Sequence, residues 1–275
     1  MNIIKRKIPT TIVLLIIYYV IMVAWWLYIN ERGLVNGAEN YTFGIFEGFF
    51  AILCGLTGLT KGKAWGSFKS YVGKAIMFIS LGFIAWGLGN LIIGYYNLVL
   101  QLAYPYPSLA DLAYIVSWPL WLIGIFNLSR ATGVKFRIRS LAGKLSALLI
   151  MIFAIALSYY LLIVVARQGV FDVSNEGLLR LFFDFAYPVG DVVILTSAFL
   201  ILGLLIHYLG GVLKIPILLI IFGFLLNYAA DIVFTYTNTI GTFYVANWVD
   251  LLYTTAFLFL GIGVNLFDQK TLIRS

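Results

Sequence analysis

Charge is what this sequence has least of. Of its 275 residues 11% are charged and 63% hydrophobic, against roughly a quarter charged in a water-soluble domain. That deficit excludes a soluble globular fold, and a mean hydropathy of +1.02 places the chain in lipid. Sulfur and imidazole are scarce too. The single Cys54 excludes an intramolecular disulfide, and its apolar neighbours make it a packing residue. The single His207 cannot build a bis-His haem, a three-His zinc centre or an HExxH hydrolase. No apolar run carries a lysine near its centre, which argues against a retinal Schiff base. The expectation is therefore no cofactor and no metal. The chain has 18 basic and 11 acidic residues; in a membrane protein such an excess is an orientation signal, so no nucleic-acid partner is expected.

What is present in abundance is long hydrophobic runs. About 20 apolar residues are needed to cross ~30 Å of hydrocarbon as helix, and eight stretches qualify, near 9–29, 42–60, 74–98, 108–128, 145–166, 187–207, 213–238 and 247–267. The first follows Lys5, Arg6 and Lys7 like a signal peptide, but its core is too long and ends in Trp25 and Trp26 without a small-residue cleavage site. It reads as a retained helix. The expected fold is an all-α integral membrane protein of the cell membrane with eight transmembrane helices.

Positive charge sets the orientation. With the N-terminus cytoplasmic, 15 of the 18 basic residues fall inside, in clusters such as Lys61 to Lys74 and Arg130 to Lys144; Arg32, Arg167 and Arg180 fall outside. Both termini are then cytoplasmic. Ten of the eleven acids lie in outer loops or outer helix halves, Asp268 being the exception. Orientation does not require that segregation, because acids contribute little to the positive-inside rule. It is the first functional clue.

An internal duplication is also legible. GFIAWGLGNLIIGYYN from Gly82 lies without a gap over GFLLNYAADIVFTYTN from Gly223, with Asn90 facing Asp231, and DLAY at Asp111 aligns with DLLY at Asp250. The expectation is two parallel four-helix repeats, 1–140 and 141–275. With an even number of crossings each, they would be related by an axis along the membrane normal.

An ionisable group inside a bilayer costs on the order of 3 kcal/mol at the helix centre on insertion scales, so each acid needs a reason. Ser108 with Asp111, and Asn247 with Asp250, read as an N-cap followed by an acid that also meets the positive end of the helix dipole. Asp191, soon after Pro188, reads as a third such start. Capping and ligand binding both remain open for these three. Capping does not explain Asp231 or Asn90, about two turns before the C-terminal ends of their helices, where the dipole disfavours a carboxylate. Asn227 shares the Asp231 face, Trp86 holds the matching position in the first half, and Glu47 lies more than one turn inside its helix. The expected ligand-binding set is Glu47, Trp86, Asn90, Asp111, Asp191, Asn227, Asp231 and Asp250, with no catalytic residue. Acids without internal cations attract a cation, a proton or an amine from the outer side.

PSLADLAY at Pro107, AYPVGDVVIL at Ala186, NYAADIVFTY at Asn227 and WVDLLY at Trp248 resemble the N-terminal multi-helix membrane regions of bacterial GGDEF and EAL diguanylate cyclases and of microbial histidine kinases. The resemblance covers roughly residues 85–265 and implies a sensory or anchoring module. FDQKTLIRS after the last span leaves no room for an output domain, so a separate cytoplasmic or membrane signalling partner is expected. GDVVIL at Gly190 and the later Asp231 bear a fainter similarity to lysoplasmalogenases of the YhhN type. The leading reading is a non-catalytic sensory module that binds a small polar or cationic ligand in an outward-facing acidic pocket between its halves. A solute or cation/proton-coupled transporter and a lipid-modifying hydrolase are the alternatives.

Overall fold

The computed structural model describes residues 8–102, 107–131, 141–166, 168–169, 177–205 and 213–267. Every regular element among them is helical: α1 (Thr10–Glu31), α2 (Ala38–Ala64), α3 (Tyr71–Leu98), α4 (Leu109–Ala131), α5 (Leu141–Tyr159, continued by a π-helical stretch Tyr160–Ala166), α6 (Leu178–Leu205), α7 (Lys214–Thr239) and α8 (Trp248–Asn265). Helices are the expected outcome in lipid, where each backbone N–H and C=O must find its partner within the segment. Six of them, α1 to α4, α7 and α8, are long and apolar enough to cross a membrane. α5 and α6 cover the two remaining expected stretches.

One boundary corrects the sequence reading. α6 begins at Leu178, so Pro188 and Asp191 stand well inside it and Asp191 does not follow a helix start. The apolar run from Leu178 carries the helix past the proline, as neighbouring helices allow in membranes. The Asp191 side chain lies outside the described residues.

Side-chain caps fix the starts of α3, α4 and α8. The Ser70 hydroxyl accepts from Gly73 N–H at 2.9 Å, Ser108 from Ala110 at 3.2 Å, and the Asn247 carbonyl oxygen from Val249 at 2.8 Å. Such caps satisfy backbone donors that lipid cannot. Ser108 N–H also donates to Asp111 Oδ2 at 2.6 Å, while Asp250 Oδ2 accepts from Ala246 N–H, one residue before the cap, at 2.5 Å. Asp111 thus makes the capping-box bond to its own N-cap, whereas Asp250 reaches one residue further out, to Ala246.

Glycine sets the spacing of α2 and α3. A Cβ on Gly87 would sit 2.5 Å from the Gly48 carbonyl oxygen, and one on Gly55 would sit 2.6 Å from that of Ser80. Backbone meets backbone there, the packing that small residues permit in membranes. α1 is built into the bundle: Tyr18 O–H donates to the Phe46 carbonyl at 2.8 Å, and Trp26 Nε1–H donates to that of Asn247 at 2.9 Å. The core joins the chain's two halves, with Trp121 of α4 stacked edge-on against Phe83 of α3 and Phe224 of α7.

Several contacts recur at the positions that the sequence alignment pairs. Gly82 abuts Trp121, and Gly223 abuts Leu260; Gly124 abuts Ile79, and Gly263 abuts Ile220. The cap bonds Ser108–Ala110 and Asn247–Val249 correspond in the same way.

Candidate functional site

Three helix starts and two helix ends converge at one end of the bundle, and the acids expected to matter converge with them. Glu47 stands in the third turn of α2, Asn90 about two turns before the end of α3, and Asp231 equally far before the end of α7. A cleft forms among these helices, lined by Glu47, Trp86, Asn90, Asp231 and Asp250, together with Tyr41, Asn97, Tyr114, Tyr187, Phe234, Phe243 and Tyr253. It is partly open to the exterior and leaves about 60 Å³ for the centres of water-sized molecules. That is well above the ~10–15 Å³ needed to admit a water, and leaves room for a few waters or one small organic molecule.

Five of the eight expected residues thus share one cavity. Two more support it from behind. Asn227 Nδ2–H donates to Asp231 Oδ2 at 2.6 Å, one helical turn away. Asp111 has both oxygens engaged: Oδ2 by its own helix cap and Oδ1 by the Tyr187 hydroxyl at 2.5 Å, so it holds Tyr187 in the wall of the cleft. For Asp191 no side-chain position is described.

Two tyrosines are the residues that sequence reasoning passed over. Tyr114 O–H donates to Asn90 Oδ1 at 2.6 Å, and Tyr253 O–H donates to Asp231 Oδ1 at 2.5 Å. These are the tyrosines of DLAY and DLLY, bonded to the pair Asn90 and Asp231 that the alignment superposes. Their signal was present: a tyrosine three residues after each capping acid lies on the same helix face. The two units are alike in their hydrogen bonding and differ by a carboxyl in place of an amide.

Glu47 is 2% exposed. Its Oε2 accepts from Asn90 Nδ2–H and its Oε1 from the Thr254 hydroxyl, both at 3.1 Å. Asp250 lies close enough for the two carboxyls to interact electrostatically. Trp86 sits centrally, its ring 5.3 Å from those of Tyr114 and Tyr253 and 4.3 Å from that of Phe257. Asn40 closes the end of the bundle by donating from Nδ2 to the carbonyls of Leu34 at 2.9 Å and Val245 at 3.0 Å.

Among the described residues no group of three or more His, Cys, Asp or Glu is placed to hold a metal ion. Chemically, the cleft offers carboxyls, amide and phenol oxygens and aromatic faces in a confined space. No protein-family model, curated protein or solved structure compared with this chain matches it.

Proposed function

We propose that the protein is a multi-pass membrane module of the sensory kind that binds a small polar ligand in this cleft. The carrying observation is that the cleft draws polar side chains from both halves of the chain, Glu47 and Asn90 from one and Asp231 and Asp250 from the other. A ligand contacting both halves changes their relative free energies, and differential contact is what a ligand needs to bias a conformational equilibrium. The recurring contacts at aligned positions support reading the halves as two parallel four-helix repeats. The resemblance to membrane regions of signalling enzymes supports a partner that receives the output.

In this reading the chain crosses the membrane eight times, both termini are cytoplasmic, and the cleft opens outward. Cysteine labelling tests the orientation cleanly, because native Cys54 is fully buried. Cysteine at exposed Val35 or Gly241 is expected to react with an impermeant maleimide from the outside, and cysteine at exposed Phe68 only from the cytoplasmic side. The reverse pattern overturns the outward cleft.

A transporter is the second reading, favoured by a site between recurring elements. Asp231→Asn separates the two. Asn227 Oδ1 has no hydrogen-bond partner among the described residues, so rotation of its amide lets it accept from the new amide, and Tyr253 keeps an oxygen to donate to, as Tyr114 has at Asn90. The variant is expected to fold within about 1 kcal/mol of the parent, and proteoliposomes of either are expected to show no proton flux under an imposed potential. Flux in the parent that Asp231→Asn abolishes would establish the transporter instead.

A further inference from the structure

At the end of the bundle away from the cleft the charge has the opposite sign. The chain carries no acid between Glu47 and Asp111, nor between Asp111 and Asp172, so the start of α3 and the end of α4 meet with basic residues alone. Gly124 draws these two helices together: a Cβ on it would lie 3.2 Å from the Ala75 carbonyl oxygen. In the last turn of α4, Arg130 then meets Tyr71 in the first turn of α3.

Two cations converge on the Tyr71 ring. Lys74 Nζ and Arg130 Cζ each lie 5.8 Å from its centroid, and Arg130 Cζ also lies 4.8 Å from the ring of Phe126, about one turn earlier on α4. Cation–π contact orients both groups and neutralises neither. Among the described residues neither makes an ion pair or a hydrogen bond, so the donors of the guanidinium and of the ammonium stay available. Like charges held close without an acid raise the local potential and attract an anion. Membrane orientation accounts for basic residues at this end. It does not account for two of them, from different helices, being drawn onto one ring.

Their position decides which anion. Tyr71 is 49% exposed and Phe126 41%, on outward faces at the ends of two helices long enough to cross a membrane, the level at which aromatic side chains meet lipid headgroups. A phosphate carried by lipid lies at that level, with its acyl chains beside the exposed rings. The planar fork of arginine matches phosphate oxygens in pairs, whereas lysine acts as a point charge. A zwitterionic headgroup brings a cation of its own, which the pair repels; an anionic one does not.

We infer that Arg130, Lys74 and Tyr71 form a docking surface for an anionic phospholipid, the phosphate lying on the Arg130 guanidinium and Lys74 adding positive charge beside it. This surface is distinct from the cleft and depends on none of its chemistry.

Native mass spectrometry of the full chain released from detergent micelles tests it by counting bound lipid. Dioleoyl phosphatidylglycerol is expected to bind at least about tenfold more tightly than dioleoyl phosphatidylcholine, a margin in keeping with two basic side chains beside one headgroup. Soluble glycerol phosphate, which has no acyl chains, is expected to bind at least about tenfold more weakly than the phosphatidylglycerol. The double variant Arg130→Gln with Lys74→Gln is expected to cut the preference for the anionic lipid to about threefold or less; should it not fold, Arg130→Gln alone is expected to lower the preference at least about threefold. Lys63→Gln with Lys214→Gln removes the same charge from exposed positions at the same end of the bundle and is expected to leave the preference within about twofold of the parent. Equal binding of the two lipids, a preference unchanged by the Arg130 and Lys74 substitutions, or an equal loss in the Lys63 and Lys214 variant overturns the docking surface. Glycerol phosphate binding as tightly as the lipid also overturns it, by making the cluster a site for free phosphate. Each of these results leaves the reading of the cleft standing.

Discussion

Trp121→Ala is expected to lower the stability of the folded bundle by about 3 kcal/mol. Trp121 is among the largest fully buried side chains, at 0% exposure. Its Nε1–H donates to the Ile79 carbonyl at 3.2 Å, and its ring meets Phe83 at 6.2 Å and Phe224 at 5.6 Å between centroids. The indole also occupies the space beside Gly82, where a Cβ would lie 2.3 Å from Nε1. Truncation therefore opens a void next to a residue with no side chain to fill it. In water-soluble cores Trp→Ala costs about 3–5 kcal/mol, part of it transfer from water. Lipid is as apolar as the core, so that part shrinks and the lower end applies. Ile123, 41% exposed on the same helix, is the control: its alanine variant should change stability by no more than about 0.5 kcal/mol. Unfolding by graded denaturing detergent measures both, and equal effects at the two positions would mean that Trp121 does not join the halves.

Gly87→Val is expected to damage fold and site together. Its Cβ would lie 2.5 Å from the Gly48 carbonyl oxygen and 2.7 Å from Ile52 Cγ1. A backbone oxygen cannot rotate away as a side chain can, so α2 and α3 must separate. Overpacking of this kind costs about 1–3 kcal/mol, with valine at the upper end. The consequence for the site is local: Gly48 adjoins Glu47, and Asn90 lies one turn beyond Gly87. Separation therefore breaks the 3.1 Å bond from Asn90 to Glu47. Ligand affinity should fall at least tenfold, consistent with loss of a buried hydrogen bond and of the geometry it holds. Gly87→Ala should act in the same direction with a smaller effect, and Leu88→Ala, at an exposed neighbour, should do neither. Binding that survives Gly87→Val unchanged would dissociate the cleft from the α2–α3 contact.

Much of the architecture was legible because its causes are local. A run of about 20 apolar residues in lipid has few alternatives to a helix, and all eight expected stretches are helical over most of their length. The caps at Ser108 and Asn247 were readable for the same reason, since an N-cap needs only a short side chain and the next turn. The start of α6 was not readable. Pro188 resembles a first-turn proline, and only packing against neighbouring helices decides that the helix runs through it. Glu47, Asn90 and Asp231 stood out because no local device explains a polar group so deep. Tyr114 and Tyr253 did not stand out, because a tyrosine near a helix end also suits the membrane interface.

By itself the sequence indicated a membrane-type composition, the helices and the distance of Glu47, Asn90 and Asp231 from their helix ends, since these follow from composition and from spacing along one chain. Which acids meet was decided by the tertiary structure alone. Glu47 touches Thr254 and Asn90 only because Gly48, Gly55 and Gly87 let α2 and α3 close to backbone contact while α8 packs beside them. Polar contacts act over about 3 Å, so they depend on the close helix spacing that those glycines permit.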